Sequence, residues 1–145
     1  MIKKTITYID YDGNEVTEDF YFHLSKARII ETTALSEENY LEMLKEVATS
    51  GDPEKIMSTF RTFILNSYGV RPDNKRFIQS KQLSEEFAQT EAYSEIFAEL
   101  CTNADAAVQF VTGVFPLTDA QKTEVLKKTE QLPKTEELPS PEDKS

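Results

Sequence analysis

The sequence predicts an α+β fold, mostly α, in which an N-terminal β-hairpin packs on a bundle of five or six helices. Apolar side chains alternate on both sides of a turn at residues 10–15, as in two antiparallel strands. From residue 25 onward they recur every three or four positions, as on amphipathic helices. We expect one domain over residues 1–117, with the hairpin in 2–24 and the helices in 25–115, followed over 118–145 by a short helix and a disordered, acidic tail rich in Pro, Glu and Lys.

The hairpin is predicted from strands at residues 2–11 and 16–24, which flank the turn DYDGNE. Gly13 and Asn14 in that turn tolerate positive φ. Glu18 interrupts the apolar face near the turn, where its carboxylate reaches water. On the first strand Ile2, Lys4, Ile6 and Tyr8 share one face, and Lys3, Thr5, Thr7 and Ile9 share the other. On the second strand the inward face is expected to carry Val16, Phe20, Phe22 and Leu24. A hairpin with one apolar face needs cover, so the helices must bury that face.

Each predicted helix begins at a side chain that can accept a hydrogen bond from the first turn. The clearest stripe lies in residues 77–100, where apolar side chains follow the i, i+3, i+4, i+7 rule. Gly69 is expected as the left-handed residue after a helix, and residues 70–76 as a polar connection. The predicted caps are Ser25 for 26–33, Ser36 for 37–49, Asp52 with Pro53 for a helix to about 68, Ser80 and Thr90 for the two segments of 77–100, and Asn103 for an alanine-rich helix stopped by Gly113 and Pro116.

The net charge of −10 argues against binding a nucleic-acid backbone or an anionic membrane surface. Arg71, Lys75 and Arg76 form the one basic cluster with neighbouring aromatic residues, and we interpret it as a solvated loop that pairs with the acidic helices. No apolar run is long enough to cross a bilayer, and we see no signal peptide. The single cysteine, Cys101, is expected to be a buried thiol in a reducing cytoplasm.

The sequence contains no pattern that predicts catalysis, a cofactor or a metal site. His23 is the only histidine, and no C-x-x-C or H-E-x-x-H spacing is present. A calcium loop at residues 10–21 is rejected because Tyr21 stands where the bidentate glutamate belongs. We therefore expect a protein that is not an enzyme, with His23 at a surface or an interface.

An ordered set of segments resembles the tail assembly chaperones of long-tailed bacteriophages and prophages. The segments are KKTITYIDYDGNEVTEDFYFHLSKA, the helix break at Gly51-Asp52, SYGVRPDNKRFIQSKQLSEEFAQTEAYSEIFAEL and FVTGVFP at 110–116. The resemblance covers residues 1–117, and residues 118–145 match in polar character only.

The resemblance implies a protein that binds the long helical tape measure protein, keeps it soluble and helps to recruit the major tail protein. It also implies self-association, action in the host bacterial cytoplasm and absence from the finished virion. In many such phages a programmed ribosomal frameshift near the end of the gene makes a longer form, and residues 118–145 would suit that junction.

A tape measure protein is amphipathic, so its partner should offer apolar grooves between helices and an acidic exterior. For each candidate groove residue taken singly, an ordinary position in the core is the more common interpretation. Tyr21 and Tyr40 are further candidates as tyrosines at the surface edge. The candidate groove residues are Phe60, Phe63, Phe87, Tyr93, Phe97 and Phe110.

Two other classes stay open at this point. An acidic inhibitor that mimics DNA would need carboxylates spaced like phosphates, whereas here acids alternate with lysines along several helices. A structural virion protein, such as a head–tail joining protein, would be found in purified particles, from which a chaperone is absent.

Overall fold

In the computed structural model, which describes residues 1–115, a three-stranded antiparallel sheet of order β1-β2-β3 packs against six helices. The predicted fold class is confirmed. The short helix and tail predicted for 118–145 lie outside the described residues. The elements are β1 (Ile2–Ile9), β2 (Glu15–Phe22), α1 (Lys26–Thr33), α2 (Glu37–Ala48), α3 (Pro53–Ser67), β3 (Tyr68–Gly69), α4 (Lys81–Ala88), α5 (Glu91–Thr102) and α6 (Ala104–Val114).

The hairpin has the predicted faces. Its register runs from the pair Ile2 and Phe22 to the pair Ile9 and Glu15, so side chains at even positions face the helices. The Asp10 carboxylate accepts the backbone N–H groups of residues 12 and 14, each at 2.9 Å, and Gly13 has a φ of +85°. Glu18 is exposed, as expected, and accepts a hydrogen bond from the Tyr8 hydroxyl.

All six predicted caps accept the backbone N–H group three residues on. The side-chain oxygens of Ser25, Ser36, Asp52, Ser80, Thr90 and Asn103 lie 3.0–3.3 Å from those nitrogens. A capped first turn satisfies a donor that would otherwise lack a partner, so the helix starts are set locally.

The prediction that Gly69 ends a helix in a left-handed conformation is wrong. The helix ends at Ser67, and Tyr68–Gly69 instead forms the short strand β3, which pairs with Tyr21 and Phe22 of β2. A Cβ atom on Gly69 would lie 2.5 Å from Cζ of Phe77 and 2.8 Å from the carbonyl oxygen of Ile78. Glycine is required here by close packing rather than by its φ angle.

Gly113 also differs from expectation, because it lies inside α6 and does not stop it. A Cβ atom at this position would approach Cδ1 of Ile2 to 2.7 Å. The absent side chain therefore lets α6 approach the start of β1. Pro116, the other predicted stop, is outside the described residues.

Aromatic rings dominate the core between the sheet and the helices. The ring of Phe22, fully buried on β2, contacts the rings of Tyr68, Phe87 and Phe110 at centroid distances of 5.9, 5.9 and 5.1 Å. These contacts join the sheet to α4 and α6.

Candidate partner-binding surface

Four of the predicted groove residues are core side chains in this structure. Phe60 and Phe63 are 0% exposed, Phe87 is 2% and Phe110 is 3% exposed. The Phe63 and Phe110 rings meet edge to face at 5.9 Å, so they hold α3 against α6. These rings fill the space between helices rather than leaving a groove there, and their role as partner contacts stays a prediction.

The two tyrosines expected at the surface edge differ. Tyr40 is 4% exposed and packs edge to face against Phe63 and Phe115, which corrects its predicted position. Burial raises the pKa of Tyr40 to about 12. Tyr21 is half-buried on the outer face of the sheet, with the Arg71 guanidinium 5.9 Å from its ring centroid.

The remaining two candidate groove residues, Tyr93 and Phe97, lie together on α5. Tyr93 and Phe97 are one helical turn apart, and their rings stack at 5.5 Å with an angle of 22° between their planes. Phe97 is half-buried, whereas Tyr93 is 7% exposed. A ring contact of 5.8 Å between Tyr93 and Phe87 ties the pair to the core.

An arginine of α3 extends this surface. Arg61 donates a hydrogen bond of 3.1 Å to the Tyr93 hydroxyl, and its guanidinium lies 5.6 Å from the centroid of that ring. Burial raises the pKa of Tyr93, although the charge of Arg61 opposes the shift. Met57, one turn before Arg61, is 43% exposed. We call Met57, Arg61, Tyr93 and Phe97 the α3–α5 face.

A basic groove was missed by the sequence reasoning. Arg28 of α1, Arg61 of α3 and Lys81 of α4 line a cavity of about 810 Å³, together with the apolar side chains of Leu65 and Ala88. The three cations are separated by 33 and 20 positions, and each is on a different helix. No spacing rule along the chain links them, so only the packing of the helices brings them together.

The predicted basic loop is organised differently from expectation. The Arg76 side chain pairs with Asp73 inside the loop at 3.0 Å, and within residues 1–115 no ion pair joins this loop to an acidic helix. Arg71 donates to the carbonyl oxygens of Asn74 and Arg76. The loop is stabilised by its own groups, which leaves Lys75 exposed at its tip.

The hydrogen bonds of the Gln79 side chain are a second feature that the sequence did not reveal. The side-chain amide nitrogen of Gln79 lies 3.1 Å from the carbonyl oxygen of His23, 3.0 Å from that of Asn66 and 3.2 Å from that of Tyr68. Its two hydrogens therefore serve three carbonyl groups where β2, α3 and β3 meet.

Titratable groups in residues 1–115 form no cluster of three or more potential metal ligands. Burial raises the pKa of the half-buried Cys101 thiol, which disfavours the nucleophilic thiolate. His23 packs edge to face on Phe77, and burial together with the positive N-terminus lowers its pKa. No helix within residues 1–115 has the length and hydropathy needed to cross a membrane.

Residues 1–115 thus form a hairpin-and-helix domain with an aromatic face on α3 and α5 and a basic groove lined by α1, α3 and α4. The sequence matches the family model of phage tail assembly chaperones over residues 1–145, so the chain belongs to that family. The match confirms the predicted family and extends beyond residue 117, where the resemblance was expected to end. No curated protein and no solved structure gives a significant match.

Proposed function

We propose that the protein binds the tape measure protein and keeps it soluble during tail assembly, and that it helps to recruit the major tail protein. The observation that carries this proposal is the family match over all 145 residues. The protein acts in the host bacterial cytoplasm, without catalysis, and is absent from the finished virion.

The α3–α5 face is the proposed contact for the tape measure protein. It combines a half-buried ring at Phe97, an exposed thioether at Met57 and the cation of Arg61. Side chains of these types are enriched where proteins bind one another. The face is backed by the core through Tyr93, so little ordering is needed on binding.

The acidic exterior supports the solubilising role. The chain has a net charge of −10, and most of its phenylalanine rings are buried. A complex with an amphipathic partner would keep this charge on its outside, which disfavours aggregation.

Co-expression with the tape measure protein of the same genome tests the proposal. We expect the tape measure protein to become soluble and to co-purify with this chain. If it stays insoluble beside a folded chain, and also beside any longer form of that chain, the proposal is wrong.

Mass spectrometry of purified tails is a second test, because a structural virion protein would be present in them.

A programmed frameshift near residues 118–145 is part of the proposal. It would join the domain to a further C-terminal segment. The coding DNA around these codons should contain a slippery heptamer and an overlapping frame. Their absence would remove the longer form from this proposal while leaving tape measure binding untouched.

A further inference from the structure

The basic groove concentrates positive charge in an acidic protein. Its lining carries three cations, Arg28, Arg61 and Lys81, and one carboxylate, that of Glu85, which together give a charge of +2. Within residues 1–115 no carboxylate lies within 4.0 Å of the charged nitrogens of these cations. The groove therefore has positive charge available for an acidic occupant, whose carboxylates are the acceptors that best match guanidinium groups.

The size and the apolar part of the groove narrow the choice of occupant. Its volume of about 810 Å³ lies in the range of pockets that hold a ligand of the size of a short peptide. Leu65 and Ala88 add apolar surface beside the cations. A segment that combines several carboxylates with one apolar side chain matches both parts of this lining.

The chain itself contains such a segment beyond the described residues. Residues 135–143, TEELPSPED, carry four carboxylates and no lysine or arginine, and Leu138 is their only large apolar residue. Residues 116–134, which connect this segment to the domain, carry three carboxylates and four lysines. The excess of negative charge is therefore confined to residues 135–143, which we call the acidic segment.

The acidic segment is tethered close to the groove. The Phe115 ring, on the last described residue, stacks on the ring of Phe63 with a centroid distance of 6.1 Å. Phe63 lies on α3 between Arg61 and Leu65, which both line the groove. A helix is about 10–12 Å across, and the 19 residues of 116–134 span at most about 60 Å, so the connection is long enough.

We infer that the acidic segment, residues 135–143, occupies the basic groove of its own chain. Tethering gives the segment a high effective concentration at the groove, so even a weak contact is populated. Because Arg61 belongs both to the groove and to the α3–α5 face, the docked segment also reaches the edge of that face. The inference does not depend on the proposed function.

Paramagnetic relaxation in the full-length chain tests this contact. A nitroxide label is attached to the cysteine of Ser140→Cys, and Cys101→Ser removes the native thiol. The label should broaden the backbone amide signals of the groove segments 61–66 and 80–89 more than the other signals of residues 1–115. Equal broadening across the domain, or none, would overturn the inference.

Charge reversal shows whether the opposite charges hold the segment in place. The groove variant carries Arg61→Glu and Lys81→Glu, which replace exposed cations, and the tail variant carries Glu136→Lys and Glu137→Lys. Each variant alone should lose the selective broadening, and the chain with all four substitutions should regain it. Loss without recovery in the fourfold variant would contradict a direct contact.

A matched control separates this contact from the effect of net charge. It carries Lys55→Glu and Lys75→Glu, which are exposed and outside the groove. The control changes the net charge by the same amount as the groove variant, yet it should keep the selective broadening. Equal loss in the control and in the groove variant would overturn the inference.

A mixed sample separates docking within one chain from docking between copies. Chains that carry the label but no ¹⁵N are mixed with ¹⁵N-enriched chains that carry no label. The groove amides of the enriched chains should stay sharp, because each groove is occupied by its own segment. Broadening as strong as in the labelled, enriched chain would place the segment in another copy and overturn the inference.

Circular dichroism checks that each variant is folded. If a reversal unfolds the chain, Arg61→Gln with Lys81→Gln, or Glu136→Gln with Glu137→Gln, replaces it, and each pair should remove most of the selective broadening. Folded variants that keep this broadening would also overturn the inference.

Discussion

Tyr68 and Phe87 stack face to face, with ring centroids 4.2 Å apart and planes that differ by 3°. Tyr68 begins β3 directly after α3, and Phe87 is on α4. The Phe87 ring also lies 5.3 Å from the ring of Phe20 on β2. One aromatic side chain therefore fastens α4 to two strands of the sheet.

Removal of the Phe87 ring should strongly destabilise the domain. We expect Phe87→Ala to lower the free energy of unfolding by about 3–5 kcal/mol, because it deletes a buried ring and leaves a cavity. Urea denaturation followed by circular dichroism measures the change. Tyr68→Phe keeps the stack and is the control, with an expected change below about 1 kcal/mol. Equal losses in the two variants would contradict the role given to the ring.

Gln79→Ala should destabilise the junction of β2, α3 and β3. The substitution leaves three carbonyl oxygens without their shared donor, which should cost about 1–3 kcal/mol. Gln82→Ala on α4, whose side chain bonds only to Glu86, is the matched control and should cost less than about 0.5 kcal/mol. The denaturation midpoints of the two variants can be compared directly. Similar midpoints would contradict the stabilising role of the Gln79 hydrogen bonds.

Gly69→Ala should be destabilising by about 1–3 kcal/mol, since the new methyl group meets the Phe77 ring and the Ile78 carbonyl. Adding Phe77→Leu removes the ring atoms and should recover part of the loss in Gly69→Ala. Thermal unfolding of the single and double variants measures this coupling. No coupling between the two sites would show that close packing at Gly69 is not the cause.

Stability should fall in mild acid because of His23. Its pKa is lowered in the folded chain, mainly by burial and then by the positive N-terminus, while the Val114 carbonyl opposes the shift. As the pH falls below about 6.5, the unfolded chain takes up the proton first, so the stability contributed by the neutral imidazole is lost.

His23→Asn should flatten this dependence. The difference in unfolding free energy between about pH 7.5 and about pH 5.5 should be smaller in His23→Asn than in the wild type. Carboxylates titrate equally in both proteins, so they cancel in the comparison. An unchanged or steeper dependence would rule out His23 as its source.

Phe97→Asp should abolish binding of the tape measure protein and leave the fold intact, because Phe97 is half-buried on the α3–α5 face. Ala98→Asp is the control, since it adds the same charge at an exposed neighbouring position on α5 and should preserve binding. Phe63→Asp should instead unfold the domain, because that ring is 0% exposed. Co-purification and far-ultraviolet circular dichroism give the two readouts, and a folded Phe97→Asp that still binds would refute this contact.

Local signals predicted the secondary structure closely. A cap acts within three residues and strand alternation within two, so Ser36, Asn103 and the Phe20–Phe22 face could be identified without a tertiary model. The failures at Gly69 and Gly113 have one cause. Each glycine accommodates a neighbour distant in sequence, and local propensity contains no information about that neighbour.

The chain by itself determined the hairpin, the helix starts, the acidic surface and the family, because these depend on residue types at short spacings along the sequence. Only the tertiary structure decided which aromatic rings are core, placing Phe63 inside and Phe97 at the edge. It also decided that Arg28, Arg61 and Lys81 share one groove. The burial of a ring and the meeting of three cations both depend on how separate helices pack. That packing brings together residues that are far apart in the sequence and share no periodic pattern.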